Sequence, residues 1–128
     1  MKLLLDTHAF LWFIMGNPNL SANARALIED LANEKFLSVA SVWEIAIKVS
    51  IGKLALSAQF NTLIPQQLSV NGFELLNLEV RHAAALINLP FHHRDPFDRL
   101  LIAQAIVEQM QIVSTDSTFD GYPIQRLW

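Results

Sequence analysis

The chain has 128 residues, of which 52% are apolar and only 16% charged, with no cysteine and a formal net charge of −3. That length suits one domain over residues 1–128, with a core that needs neither disulfides nor metal staples. The lack of cysteine excludes disulfide scaffolds, thiolate metal sites and cysteine nucleophiles and fits a reducing, cytoplasmic setting, while the acidic balance gives no overall basic field for nucleic acid.

The surplus of apolar side chains is explained either by a surface covered by a partner or second copy, or by a compact domain with mostly buried helices. Lys2, the apolar stretch after it and Ala22-Asn23-Ala24 imitate a signal peptide. Asp6 and His8 interrupt that stretch and leave only Ala9 to Met15, which argues against secretion. No apolar run approaches the roughly 18 residues of a membrane span.

Leu3 to Leu5 read as a buried strand. Thr7 is the expected cap of a helix running to Met15, with Gly16 as its stop. This helix is apolar nearly all round, which places it in the core or between subunits, Trp12 included. Ser21 caps a second helix with Ala24, Leu27, Ile28 and Leu31 on one face. Phe36 to Ala40 form the second strand, and Ser41 opens a helix whose apolar face is Val42, Ile45, Ala46 and Val49. Trp43 there reads as core packing. Ala58 to Leu68 form a further helix despite Pro65, and Phe73 to Leu76 a third strand. A helix follows from about Glu79 to Leu89. Asp95-Pro96 starts a long helix to about Met110, whose segment Leu100 to Val107 has Gln104 as its only polar residue and is expected to be buried on most sides. Gln111 to Ser114 and Ile124 to Arg126 complete the strands.

Strands alternating with helices indicate an α/β fold, a parallel sheet of about five strands covered on both faces. Right-handed crossovers put every strand-to-helix junction at the carboxyl edge, where open α/β sheets hold ligands. Asp6, Glu44, Asp98 and Asp116 all fall at such junctions. Like charges raise one another's pKa, and a divalent cation relieves them; oxygen-only ligands favour Mg²⁺ or Mn²⁺. Each acid also has a local reading. Ser41-x-x-Glu44 matches a capping box, Asp98 lies in a helix first turn, and Asp116 sits in the turn-forming Ser-Thr-Asp-Ser-Thr. Asp6 has no such reading if Thr7 is the cap. Glu79 reads as a helix-start acid only.

With these residues placed, the sequence resembles the PIN-domain nucleases, and among them the VapC-type toxins of bacterial toxin–antitoxin pairs. LLLDTHAFLW resembles the family's first acidic block, SVASVWEIAIKVSIGKL the second, HHRDPFDRLLIAQA the third and IVSTDSTF the fourth. The resemblance implies a Rossmann-like three-layer PIN fold and Mg²⁺- or Mn²⁺-dependent endoribonuclease activity. It also implies a homodimer and an antitoxin that blocks the acidic pocket. It makes Asp6, Glu44, Asp98 and Asp116 the metal-binding set, with Thr7 and Ser114 supporting and Asp95 assigned to capping. A metal-activated water would attack the phosphodiester in line.

An RNA substrate needs cations beside such a pocket. Lys48, Lys53, His92, His93, Arg94 and Arg99 are the candidates, with a solvated loop as the default reading of the two histidines. Lys48 is also an ordinary i,i+4 partner for Glu44. Two other functions remain open on the residues alone: a PIN-like binding module with unused acids, and a phosphatase with carboxylates at the sheet edge. Position 8 is histidine where a haloacid-type phosphatase wants a second Asp, no lysine follows Lys53 as a receiver domain would need, and no glycine lies in the first turn for a dinucleotide.

Overall fold

The computed structural model describes Met1–Trp128. Five parallel strands form one sheet in the order β3-β2-β1-β4-β5. They are β1 (Lys2–Leu5), β2 (Glu34–Ser38), β3 (Phe73–Leu76), β4 (Gln111–Val113) and β5 (Arg126–Leu127). The helices are α1 (Thr7–Met15), α2 (Ala22–Glu29), α3 (Val39–Ser50), α4 (Phe60–Val70), α5 (Val80–Ile87) and α6 (Pro96–Glu108), with a 3₁₀ turn at Ser117–Gly121. No helix is long and apolar enough to cross a membrane.

The period of two along each strand builds two cores. Leu3, Leu5, Leu37 and Val113 face one side, where Phe10, Ile28, Ile45 and Ile64 cover them. Leu4, Phe36 and Ile112 face the other, against Leu101, Ile102, Phe119 and Tyr122. β1 is the central strand and its three leucines are fully buried. This fixes its last residue, and the carboxylate that follows, at a junction with no freedom to drift.

Several local expectations shift. Asp6, not Thr7, is the N-cap of α1: its Oδ1 accepts from the Ala9 N–H at 2.8 Å. Ser38 ends β2 and caps α3, so the cap lies three residues before Ser41 and Glu44 falls in the second turn of the helix, outside any capping box. The α2 helix ends at Glu29, which leaves Leu31 93% exposed. Trp43 is 65% exposed rather than packed in the core. On α1 only Ala9, Phe10 and Leu11 are buried among the apolar residues, while Met15 is exposed. Gly16 ends α1 as expected, at φ +63°, the left-handed conformation that glycine adopts without steric cost. Leu101 to Ala105 of α6 are buried without a break.

Candidate active site

Four separate segments bring carboxylates to the carboxyl edge of the sheet. Asp6 follows β1, Glu44 comes from α3, Asp95 and Asp98 from the start of α6, and Asp116 from the turn after β4. All five line one cleft of about 400 Å³, together with Thr7, His8, Trp12, Lys48 and Thr115.

Asp6 is 6% exposed. Its backbone N–H donates to Val113 O at 3.1 Å, which ties the junction to β4. Its Oδ2 accepts from the Ser114 hydroxyl. Burial pushes the Asp6 carboxyl up, against the opposing hydrogen bonds from Ser114 and Ala9. Ser114 is fully buried, and its Oγ also accepts from the Asp116 N–H at 3.0 Å. One hydroxyl thus holds two of the acids in register.

The buried Thr7 hydroxyl lies 2.7 Å from Glu44 Oε1 and 3.0 Å from Ser41 Oγ. Having one proton, it donates to the carboxylate, and the Ser41 hydroxyl is left to donate to Thr7. Glu44 Oε2 pairs with Lys48 Nζ at 3.0 Å. The i,i+4 pair expected from sequence is therefore present, and it is set in the wall of the cleft.

Asp95 caps α6, its Oδ1 accepting from Phe97 N–H at 2.8 Å and Asp98 N–H at 3.3 Å. That leaves Asp98 free of the cap. Its pKa is pushed up to about 7, first by burial and then by the charge of Asp95, with Glu44 and Asp6 adding to the effect and His93 opposing it. Burial and three neighbouring carboxyls thus both disfavour the ionised form of Asp98.

Asp116 caps the 3₁₀ turn through Thr118 N–H at 3.0 Å. Its Oδ2 lies 2.8 Å from His93 Nε2. Partial burial pushes Asp116 up, but the hydrogen bonds from His93 and Thr118 outweigh it and hold the carboxyl below its ordinary value. His93 is buried rather than solvated, packed between the rings of Phe119 and Tyr122 at 4.6 and 5.6 Å. Its backbone N–H donates to Tyr122 Oη, which donates on to Pro90 O. Its Nδ1 is buried without a partner. Sequence reasoning missed this pairing, because a loop histidine carries no spacing signal linking it to an acid 23 positions on.

The expected substrate cations divide. Lys48 lines the acidic cleft, and Lys53 lines the groove next to it. Arg94 is exposed before α6 and lines neither. Arg99 is corrected: it is 5% exposed, and its guanidinium donates to the carbonyls of Pro90, Leu86 and Leu89 and lies 4.0 Å from the Phe91 ring centroid. Arg99 ties the loop before α6 to α5 and is not available to a phosphate.

The donor set fits a hard divalent cation. It is rich in carboxylate oxygens, the charges of Asp95, Glu44 and Asp6 add to the rise in the Asp98 pKa, and ligand atoms of His93, Asp98 and Asp116 lie within 4.8 Å of one another, a group without Asp6 or Glu44. A second grouping, Glu79, His82 and Glu108, has the same compactness but is saturated. His82 Nδ1 accepts from the Glu79 N–H, which puts its proton on Nε2 toward Glu108, and Arg81 bridges both carboxylates. This is a helix cap with no coordination left to offer.

The fold and cleft define an α/β domain that gathers carboxylates from distant segments at the carboxyl edge of a parallel sheet. The family model of the PIN domain matches residues 3–124, and the chain belongs to that family. Ribonuclease VapC16 from Mycobacterium tuberculosis is 35% identical over 72 residues, covering 53% of this chain and 51% of the relative. The chain thus spans about half the length of the curated relative it matches. Among solved structures, VapBC2 from Rickettsia felis bound to a promoter DNA fragment aligns with a TM-score of 0.75 at 18% identity, over 99% of this chain and 98% of that one. FitAcB from Neisseria gonorrhoeae aligns with a TM-score of 0.66 at 17% identity, over 98% and 96%. At these identities the likeness is one of fold.

Proposed function

We propose that this protein is a Mg²⁺- or Mn²⁺-dependent endoribonuclease, the toxin of a toxin–antitoxin pair. The observation that carries the reading is the convergence of Asp6, Glu44, Asp98 and Asp116 on one cleft of a PIN domain, where burial and then the neighbouring carboxyls push the Asp98 pKa up to about 7. Membership of the family and the likeness to a ribonuclease over half its length support the chemistry. The likeness in fold to a VapBC complex supports a cognate antitoxin as partner.

In this reading the four acids would hold the cation, which would supply acidification of the attacking water and charge neutralisation at the phosphate. The chain's own groups supply the geometry. Ser114 fixes Asp6 against Asp116, Thr7 fixes one oxygen of Glu44, and His93 fixes one oxygen of Asp116. Rigid placement of this kind is what lets a site stabilise charge without reorganising during the reaction. Lys48, paired with Glu44, would meet a phosphate oxygen, with Lys53 further along the adjoining groove. Water adds to phosphorus, the bond to the leaving oxygen breaks, and that oxygen takes up a proton.

The homodimer belongs to the same reading. An apolar groove of Val39, Ala40, Trp43, Leu78, Phe97 and Leu100 supports it. A cytoplasmic location also belongs to the reading, since the substrate is RNA. The test is RNA cleavage with Mg²⁺, with Mn²⁺ and with excess chelator, repeated for Asp6→Ala and Asp98→Ala. Loss of cleavage in the chelator and in both variants is expected. Undiminished cleavage in either setting contradicts the mechanism.

A further inference from the structure

We propose that the groove leading from the acidic cleft across α1 is the path of a single-stranded RNA, with bases stacked on His8 and Trp12 and phosphates on Lys48 and Lys53. This rests on the nuclease reading and adds to it a direction and a base-binding subsite.

The groove, of about 330 Å³, shares His8, Trp12 and Lys48 with the acidic cleft, so the two are continuous. Its remaining lining is Leu11, Met15, Asn17, Lys53 and Leu54, which gives two lysines and no carboxylate. A polyanion leaving a cleft of five carboxylates needs such an exit. Most other cations are engaged. Arg25 pairs with Glu29, Arg81 with Glu79 and Glu108, and Arg126 with Asp120. Arg99 is buried on carbonyls, and Lys35 is buried beside the Phe73 ring. Lys2, Lys53 and Arg94 are exposed and form no ion pair, and of these Lys53 alone lines a groove. The other large groove, the Trp43 face, is lined only by apolar side chains and offers a phosphate nothing.

The aromatic pair supplies the second half. His8 and Trp12 stand four residues apart on α1, hence on one face, with ring centroids 5.8 Å apart and planes tilted by 47°. Trp12 is braced edge-on by Trp128 at 5.9 Å, which makes it a rigid platform. Stacking surfaces alternating with cations are how proteins hold unpaired nucleic acid, because every base has a π-face. In a duplex those faces are already stacked on their neighbours, so the groove selects single strands.

The test is steady-state cleavage of a short single-stranded RNA in Mn²⁺, with KM and kcat separated. Trp12→Ala and Lys53→Glu are each expected to raise KM about tenfold and to change kcat much less. Trp12→Phe is expected to restore most of the loss, and the exposed His8→Ala gives a second stacking variant should Trp12→Ala fold poorly. Photo-crosslinking of the same RNA carrying 5-iodouridine is expected to mark His8 or Trp12. The proposal is overturned if Lys53→Glu and His8→Ala leave KM within twofold, or if adducts fall on the Trp43 face, while Asp98→Ala still abolishes cleavage. The nuclease reading then stands, and the groove belongs to another occupant such as a polypeptide segment. A wild-type protein that neither cleaves nor binds single-stranded RNA overturns both readings.

Discussion

Asp98→Asn replaces the one carboxyl whose folded pKa stands at about 7 with a neutral side chain of the same shape. In the unfolded chain an aspartate titrates near its model value of 3.8. The folded state therefore binds the proton more tightly, and ionisation works against folding. Stability is full below the unfolded value and falls as pH rises from about 4 to about 7. Three units at 1.36 kcal/mol each would give about 4 kcal/mol. Asp98 is only half-buried and its carboxyl meets water in the cleft, so screening brings this to about 2 kcal/mol. The assay is urea unfolding in chelator at pH 5 and pH 8. The wild type is expected to lose about 1 kcal/mol more than Asp98→Asn over that interval, since about a third of the loss already lies below pH 5, and the variant to be the more stable protein at pH 8. With Mn²⁺ the order reverses, because the wild type alone gains from binding. Parallel pH profiles for the two proteins in chelator would refute the raised pKa of Asp98.

Ser114→Ala removes the hydroxyl shared by Asp6 and Asp116; cleavage is expected to fall roughly 10- to 100-fold with the fold intact, read by kcat alongside the unfolding midpoint. His93→Ala is expected to weaken Mn²⁺ binding by a similar factor, with His93→Gln recovering part of it, since glutamine keeps a donor for Asp116. Equal affinity in His93→Ala and wild type would remove the positioning role. Arg99→Ala is expected to cost about 3 kcal/mol in urea unfolding, because buried carbonyls lose a charged donor, while KM for RNA in the folded fraction stays unchanged. A raised KM with unaltered stability would return Arg99 to the substrate set.

The sheet was legible because its signal is local and strong. Leu3 to Leu5 with turn-forming neighbours make a strand in any context, and the alternation of strands with helices leaves few ways to order them. The helix starts were read less well, since Asp6 and Thr7, or Ser38 and Ser41, are nearly equal caps on sequence alone and tertiary packing selects between them. Trp43 misled because an apolar residue on a helix says nothing about which side its neighbours take. The meeting of Asp6, Glu44, Asp98 and Asp116 could be inferred from topology, which places strand ends together. The partners of Arg99 and His93 could not. Their identities depend on where an irregular segment, Leu89 to Asp95, crosses the edge of the domain, and no periodicity encodes that path.

The central claim is that these carboxyls share a divalent cation, and Mn²⁺ titration by calorimetry at pH 7 in buffers of differing ionisation enthalpy reads it most directly. The wild type should bind Mn²⁺ with net release of protons, because the pKa of Asp98 is raised to about 7 and the carboxyl must ionise to serve as a ligand. Asp6→Ala and Asp98→Ala should bind far more weakly. No heat at millimolar Mn²⁺, or the same isotherm in all three proteins, would contradict the account.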